Sequence, residues 1–332
     1  MSKKLIRAGI AGIGIYVPKR RLSNSELEGM VQTSDEWIRT RTGIAERRIA
    51  SPDEATSDMS VIAGKKALEN AGVKPENIDL IIVATVTPDM IFPATACLVQ
   101  ERLGAKRAAA FDLEAGCSGF VYALSVASQF ITSGTYENVL VIGADTLSRI
   151  TNWQDPKTCV LMGDGAGAVV LKPSPEGYGI LSIKLGADGS GGMLLNLPAG
   201  GSRLPASEET IAANLHTFYM NGREVFKFAV KIFEEVTVEA LSAAGLCKDD
   251  IDLLIPHQAN IRIIDAAAKK LNLPLDKVLV NIDRYGNTSS ASIPLALWEG
   301  LQTGRIKQGN HLVMVGFGSG LSWGALVIKW CD

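Results

Sequence analysis

The chain has 332 residues, 47% hydrophobic and 20% charged, with a formal net charge of −2. That length admits one large core or two fused domains, and the near-neutral balance gives no footprint for nucleic acid as a main partner. Five cysteines with no C-x-x-C pair argue against a disulfide framework, so a reducing, cytoplasmic setting is expected.

The first stretch, "MSKKLIRAGIAGIGIYVPKRR" (1–21), has an apolar run that is short, interrupted by glycines and closed by Pro18 and three basic residues. It reads as a first strand rather than a secretory leader, and no uninterrupted apolar stretch in the chain is long enough to span a membrane. Basic residues follow in "RTRTGIAERR" (39–48). Such charges are usually only solvated, but beside a site they can hold phosphates.

From residue 67 a repeat begins. "ALENAGVKPENIDLIIVAT" (67–85) aligns without gaps over "ALSAAGLCKDDIDLLIPHQ" (240–258), an offset of 173. Each copy predicts a helix ended by a glycine cap, a polar turn and a buried strand. The same offset sets "NVLVIGA" (138–144) over "HLVMVGF" (311–317) and Cys117 over Ser290; an offset of 157 sets "GAVVLK" (167–172) over "GALVIK" (324–329). We infer an internal duplication in an α/β chain whose Val/Ile/Leu-rich strands are covered by helices on both faces. The glycine-rich passage 177–192 is the expected meeting point, giving halves of 1–176 and 177–332 related by a pseudo-twofold axis. A site at their junction draws residues from both.

In "LEAGCSGFVYAL" (113–124), Cys117 lies between small residues at the start of a predicted buried helix. A thiol there is either inert filling or a nucleophile whose pKa the helix N-terminus lowers. "GDGAGAVV" (163–170) lacks both phosphate-loop patterns and precedes a strand, so it reads as a strand-entry turn. His257, in "LLIPHQANIRI" (253–263), lies just past a buried strand, where open α/β sheets place ligands. Alone it could equally be a satisfied core histidine; His216 and His311 have weaker settings. Arg262 and Lys269 share a helix face in "NIRIIDAAAKK" (260–270). Asn287, in "DRYGNTSSASIPLAL" (283–297), would pass for a turn residue, except that the duplication sets this turn opposite the Cys117 loop. "VGFGSGLSWG" (315–324) is rich enough in glycine to bring backbone N–H groups close to a ligand oxygen. No metal-ligand cluster occurs.

Together, "TSDEWIRTRTGIAERRI" (33–49), "GCSGFVYALSVA" (116–127), "GDGAGAVVL" (163–171), "NGREVFK" (221–227), "PHQANIRII" (256–264), "RYGNTSSASIPLAL" (284–297) and "GFGSGLSWGA" (316–325) carry a resemblance across essentially the whole chain. The chain resembles the β-ketoacyl-acyl-carrier-protein synthase III family of thiolase-like condensing enzymes. The resemblance implies two αβ halves in a five-layer αβαβα fold, a homodimer, and no cofactor or metal, since acyl-CoA is a substrate. It implies condensation of an acyl-CoA primer with malonyl-acyl-carrier protein, with no nucleic-acid or membrane partner. Cys117 would be the acylated nucleophile, with His257 and Asn287 completing the triad. The N–H groups of Cys117 and Ser319 would form an oxyanion hole beside Phe317. Phe92 would shape the end of the acyl pocket, reaching across the dimer interface. Trp37 and Arg41 would contact the adenine end of coenzyme A, and Gly222 and Asn260 the pantetheine tunnel. Lys227, Arg262, Lys269 and Lys270 would face the acidic carrier.

One departure stands out. Many relatives read D-R-x-T where this chain has "DPKT" (155–158), so Pro156 replaces an arginine that stacks on adenine, and Lys157 offers charge without a stacking plane. Two other readings stay open: a related acyltransferase of secondary metabolism, and a Cys-His-Asn thioester hydrolase. The hydrolase would need neither the duplication nor a carrier-facing basic surface.

Overall fold

The repeated stretch folds into the same unit twice in the computed structural model, which describes residues 6–331. Residues 1–5 and 332, the outer ends of the two expected halves, lie outside the described residues. In the first copy, helix Thr56–Ala71 stops at Gly72, whose φ of 63° is costly for residues with a Cβ; a short 3-10 turn leads to strand Leu80–Ala84. In the second, helix Gly222–Ala243 runs to Gly245 at φ 72°, a 3-10 turn and strand Leu253–Pro256. The aspartate common to both copies does one job. Asp79 accepts the N–H of Asn138 at 3.0 Å and Asp252 that of His311 at 2.8 Å, so each ties its strand to the entry of the parallel neighbour.

The N-terminal sheet contains β1 (Ala8–Tyr16), β2 (Leu80–Ala84), β3 (Ala109–Leu113), β4 (Val139–Asp145) and β5 (Gly165–Pro173), in the order β1-β5-β4-β2-β3. The C-terminal sheet contains β6 (Gly179–Ala187), β7 (Leu253–Pro256), β8 (His311–Gly318) and β9 (Ser322–Lys329), in the order β7-β8-β9-β6. Wiring repeats as well: β2 and β4 are parallel and β4 and β5 antiparallel, as are β7 with β8 and β8 with β9. The counterpart of β3 is reduced to one bridge between Leu254 and Val278. The glycine-rich passage is not a linker: most of it is β6, where a Cβ on Gly186 would sit 2.5 Å from the Trp323 ring.

Seven helices matter for the site: α1 (Asp35–Thr42), α2 (Thr56–Ala71), α3 (Thr95–Leu103), α4 (Gly119–Thr132), α5 (Gly222–Ala243), α6 (Ile261–Leu271) and α7 (Ser292–Gln302). α4 and α7 lie between the sheets, where Phe120 and Leu297 pack with Val141 of one sheet and Met314 of the other. α2 and α3 cover the outer face of the first sheet through Met59 and Val99, and α5 and α6 cover that of the second through Phe233 and Ile264. The result is the five-layer thiolase-like order, and it explains the unbroken apolar runs: every residue of β2 and β4 is buried.

The halves meet by backbone contact. A Cβ on Gly143 of β4 would collide with the carbonyl oxygen of Ser290, in the turn that opens α7. At the equivalent position in the other half, a Cβ on Gly316 of β8 would lie 3.0 Å from the Cα of Ser118, in the turn that opens α4. Each turn therefore presses on a glycine of the opposite sheet. Gly143→Ala is expected to lower stability by about 1–3 kcal/mol in urea unfolding, because a backbone carbonyl cannot swing aside. An unchanged midpoint would mean that the halves can separate without strain.

Candidate active site

Cys117 occupies a 3-10 turn, Gly116–Ser118, between β3 and α4. Gly116 takes φ 53°, and a Cβ there would lie 2.8 Å from the Ser319 nitrogen; a Cβ on Gly318 would lie 2.5 Å from the Cys117 nitrogen. These glycines lay the β8–β9 hairpin directly on the nucleophile turn, bringing the Cys117 and Ser319 backbones side by side.

The thiol does not have the lowered pKa expected of a helix N-terminus. Burial pushes it up to about 12, with Asp145 and Glu114 acting the same way. The nearby Ser289 hydroxyl opposes them, although it makes no hydrogen bond of ordinary geometry. A helix terminus contributes about 0.3–1 kcal/mol, less than one pKa unit, so burial wins. That direction favours the protonated thiol at the resting nucleophile.

His257 follows the last residue of β7 and is 1% exposed. Its N–H donates to Val315 O at 2.7 Å, its Nδ1 lies 2.7 Å from Ser292 Oγ, and Phe317 packs edge-on with ring centres 5.4 Å apart. Burial alone holds its pKa down at about 3, so the ring is neutral.

Asn287 is fixed to the other half. Its N–H donates to Leu161 O at 2.8 Å and its carbonyl accepts the Gly163 N–H at 2.9 Å. The "GDGAGAVV" segment is thus a strand-entry turn that also anchors Asn287. Asn287 Oδ1 accepts the Ser289 N–H at 2.9 Å, which leaves its NH2 for the cavity it lines.

These three side chains share one cavity of about 880 Å³, walled by apolar groups such as Leu147, Met162, Phe218 and Val225 and reaching the surface at Trp37 and Arg41. Gly222, Lys227, Asn260, Arg262, Phe317 and Ser319 also line it. Asn260 caps α6 by accepting the Arg262 N–H at 2.8 Å and donates to Arg41 O at 3.0 Å, joining α6 to α1. Arg262 lies over the Phe226 ring at 5.6 Å. Lys227 pairs with Glu224 at 2.8 Å, while Lys269 and Lys270 lie off the cavity on the exposed side of α6, Lys270 pairing with Glu234 at 3.6 Å. Pro156 and Lys157 share a shallow hollow with Trp37 beside the mouth. Phe92 does not reach the cavity of its own chain; it is 82% exposed.

Two features escaped the reading of single residues. Arg47, within a basic run that looks solvated, is fully buried and donates to Leu22 O, Asn24 Oδ1 and Val160 O, bracing the wall at Val160–Met162. Asp145, at the end of β4, is also fully buried; it accepts from Thr85, Val86, Thr87 and the Ser290 N–H, beneath the Asn287 turn. Only the strand-end position of Asp145 hinted at either.

Duplicated αβ halves around a shared helical layer, with a half-buried thiol and a buried imidazole and amide on one cavity, are the construction of a thiolase-like enzyme. The family described as 3-oxoacyl-[acyl-carrier-protein (ACP)] synthase III matches residues 111–189, and its C-terminal part matches 241–330. A β-ketoacyl-[acyl-carrier-protein] synthase III of Caldanaerobacter subterraneus subsp. tengcongensis is 61% identical over 325 residues, 98% of each chain. The crystal structure of 3-oxoacyl-[acyl-carrier-protein] synthase III from Aquifex aeolicus VF5 is 50% identical, with a TM-score of 0.90 over 97% of this chain and 100% of that one. A priming β-ketosynthase from the R1128 polyketide pathway is 37% identical, with a TM-score of 0.91 over 99% of this chain and 98% of that one. The chain belongs to the β-ketoacyl-acyl-carrier-protein synthase III family.

Proposed function

We propose that the chain starts fatty acid synthesis by condensing an acyl-CoA primer, such as acetyl-CoA, with malonyl-acyl-carrier protein. The products are β-ketoacyl-carrier protein, CO2 and coenzyme A. The observation that carries this reading is the convergence of Cys117, neutral His257 and Asn287 on one apolar-walled cavity.

In the first half-reaction the sulfur of Cys117 attacks the acyl thioester, while the N–H groups of Cys117 and Ser319 hold the developing oxyanion. The thioester bond to coenzyme A breaks, and the thiol proton ends on the departing sulfur. Malonyl-carrier protein then enters. An apolar wall disfavours its localised carboxylate, and loss of CO2 leaves an electron pair spread over an enolate. His257 and the Asn287 NH2 donate to that enolate oxygen; neither carries charge, so neither needs a counter-ion. The carbanion attacks the acyl group, and Cys117 leaves and regains a proton from solvent.

Trp37 and Arg41 receive the adenine end of coenzyme A, with Pro156 and Lys157 beside it where relatives place a stacking arginine. Gly222 and Asn260 follow the pantetheine arm, and Phe317 backs the oxyanion hole. Lys227 and Arg262 at the mouth, with Lys269 and Lys270 further along α6, meet the acidic carrier. No separate cofactor is required, and the setting is cytoplasmic. The 37% match to a priming ketosynthase supports a second reading, a starter enzyme of a specialised pathway; a panel of acyl-CoA primers separates the two. A hydrolase is disfavoured by family membership.

The functional unit is proposed to be a homodimer. β3 is the edge of its sheet among the described residues, and Ile91 and Phe92, in the loop that leads into α3, are each 82% exposed. The exposed face of α3 is not the apolar surface, since it carries Glu101 and an Arg102 paired with Asp58. The adjacent loop supplies the apolar contact, and Phe92 reaches the partner's acyl pocket. Sedimentation should give a dimer at micromolar concentration, and a stable monomer would remove Phe92 from the site.

Three variants, read by label retained after acetyl-CoA and by CO2 released from malonyl-carrier protein, test the division of labour. Cys117→Ala should take up no acetyl group yet keep decarboxylating. Asn287→Ala should be acetylated but lose about 10²–10³ in decarboxylation. Arg262→Glu should weaken malonyl-carrier use, less so at high salt, and spare acetyl transfer. If Asn287→Ala blocked acetylation as fully as Cys117→Ala, the assignment of roles would be wrong.

A further inference from the structure

The turn that carries Asn287 also reaches His257. Burial leaves the imidazole neutral, so it has one proton and two nitrogens, and only the protonated nitrogen can donate to an enolate. The ring's position is set by Phe317 and by the bond from the His257 backbone to Val315, but neither contact chooses between the nitrogens. The one hydrogen-bond partner of the ring among the described residues is Ser292 Oγ, 2.7 Å from Nδ1 and 1% exposed.

Counting the hydrogens at Ser292 narrows the choice. Its oxygen accepts the Gln258 N–H at 3.3 Å and has a single hydrogen to give. Two acceptors compete for that hydrogen, Ser289 O at 2.8 Å and His257 Nδ1 at 2.7 Å. The Ser289 carbonyl already receives the backbone N–H of Ser292, so it is not orphaned if the hydroxyl turns away. Nδ1 has no other donor among the described residues. A separation of 2.7 Å is ordinary for an O–H donor and short for an N–H donor.

We propose that Ser292 is a positioning residue that donates to His257 Nδ1 and thereby keeps the ring's proton on Nε2. Resting on the condensing reading, this makes one turn and the first residue of the helix it opens responsible for both donors on the malonyl oxygen: the Ser289 N–H occupies Asn287 Oδ1 and so directs its NH2, and the Ser292 hydroxyl directs the imidazole proton. It also follows that Nε2 of the resting enzyme does not serve as a base towards Cys117, in keeping with a thiol proton that leaves on coenzyme A.

The test uses the full-length protein labelled with ¹⁵N in histidine, without substrate, together with the two half-reactions. Wild type should show His257 with a bare Nδ1 and a protonated Nε2. Ser292→Ala should show both tautomers or the reverse one, with decarboxylation of malonyl-carrier protein down about 10²-fold and acetyl uptake within a few-fold of wild type. Ser292→Thr, which keeps the hydroxyl, should restore both the spectrum and the rate. A protonated Nδ1 in wild type overturns the proposal. So does a Ser292→Ala protein with the wild-type tautomer, or one that loses both half-reactions together with its melting temperature. If wild type has the assigned tautomer but releases no CO2, the tautomer lock stands and the condensing reading falls.

Discussion

The structure depends on backbone touching backbone where the two halves meet. Gly143 and Gly316 are the same position in the two copies, and each takes the turn of the opposite half against bare main chain. A Cβ would clash outright at Gly143 and press tightly on main chain at Gly316. Because those turns carry Ser290 and Cys117–Ser118, the contact that closes the core also sets the nucleophile. Gly318 continues it to the Cys117 nitrogen, and Gly163, whose Cβ would meet Tyr285 O, does the same behind Asn287. A cavity built this way belongs to neither half: Cys117 comes from one, His257 and Asn287 from the other, and Asn287 is hydrogen-bonded back to Leu161 and Gly163 of the first.

A second constraint follows from that depth. At the reacting centre burial moves both titratable groups of the triad towards their neutral forms, the Cys117 thiol up and the His257 imidazole down. Burial pushes Arg47 and Asp145 the same way, and hydrogen bonds hold them in place. Arg47 reaches two carbonyls and an asparagine, and Asp145 takes donors from Thr85, Val86, Thr87 and Ser290. These residues brace the cavity wall and the Asn287 turn rather than face substrate. Orientation at the reacting centre therefore comes from dipoles and hydrogen-bond direction, which explains why so many short-chain alcohols and backbone N–H groups crowd one turn.

What could be read in the sequence was whatever a repeat or a backbone requirement writes into it. The duplicated Ala-Leu…Ala-Gly…Ile-Asp-Leu pattern carries helix, cap, turn and strand with it, because each of those residues has a local job. The pairing of Cys117 with Ser290 in the repeat already sets the two turns opposite each other. What stayed hidden depends on surroundings. The passage from 177 to 192 marks only a meeting point of the halves in the sequence, but residues 179–187 of it form β6, where Gly186 leaves room for the Trp323 ring. The second copy of β3 has shrunk to the Val278 bridge, with no sequence mark of its loss. Arg47 looks solvated because its partners, Leu22, Asn24 and Val160, lie far from it in the chain. The thiol's pKa was misjudged for the same reason: the helix end is local and visible, whereas burial is the sum of everything packed around it.

The reacting groups of this site are uncharged, held reactive by enclosure rather than by a standing thiolate. The pH dependence of Cys117 alkylation by iodoacetamide, followed by mass spectrometry of the Cys117 peptide, tests this most directly. With a thiol pKa of about 12, the rate should climb about tenfold per pH unit from pH 7 to the upper limit of the folded protein's stability. A rate that levels off near pH 7–8 would show a thiolate already present in the resting enzyme, and would contradict the account.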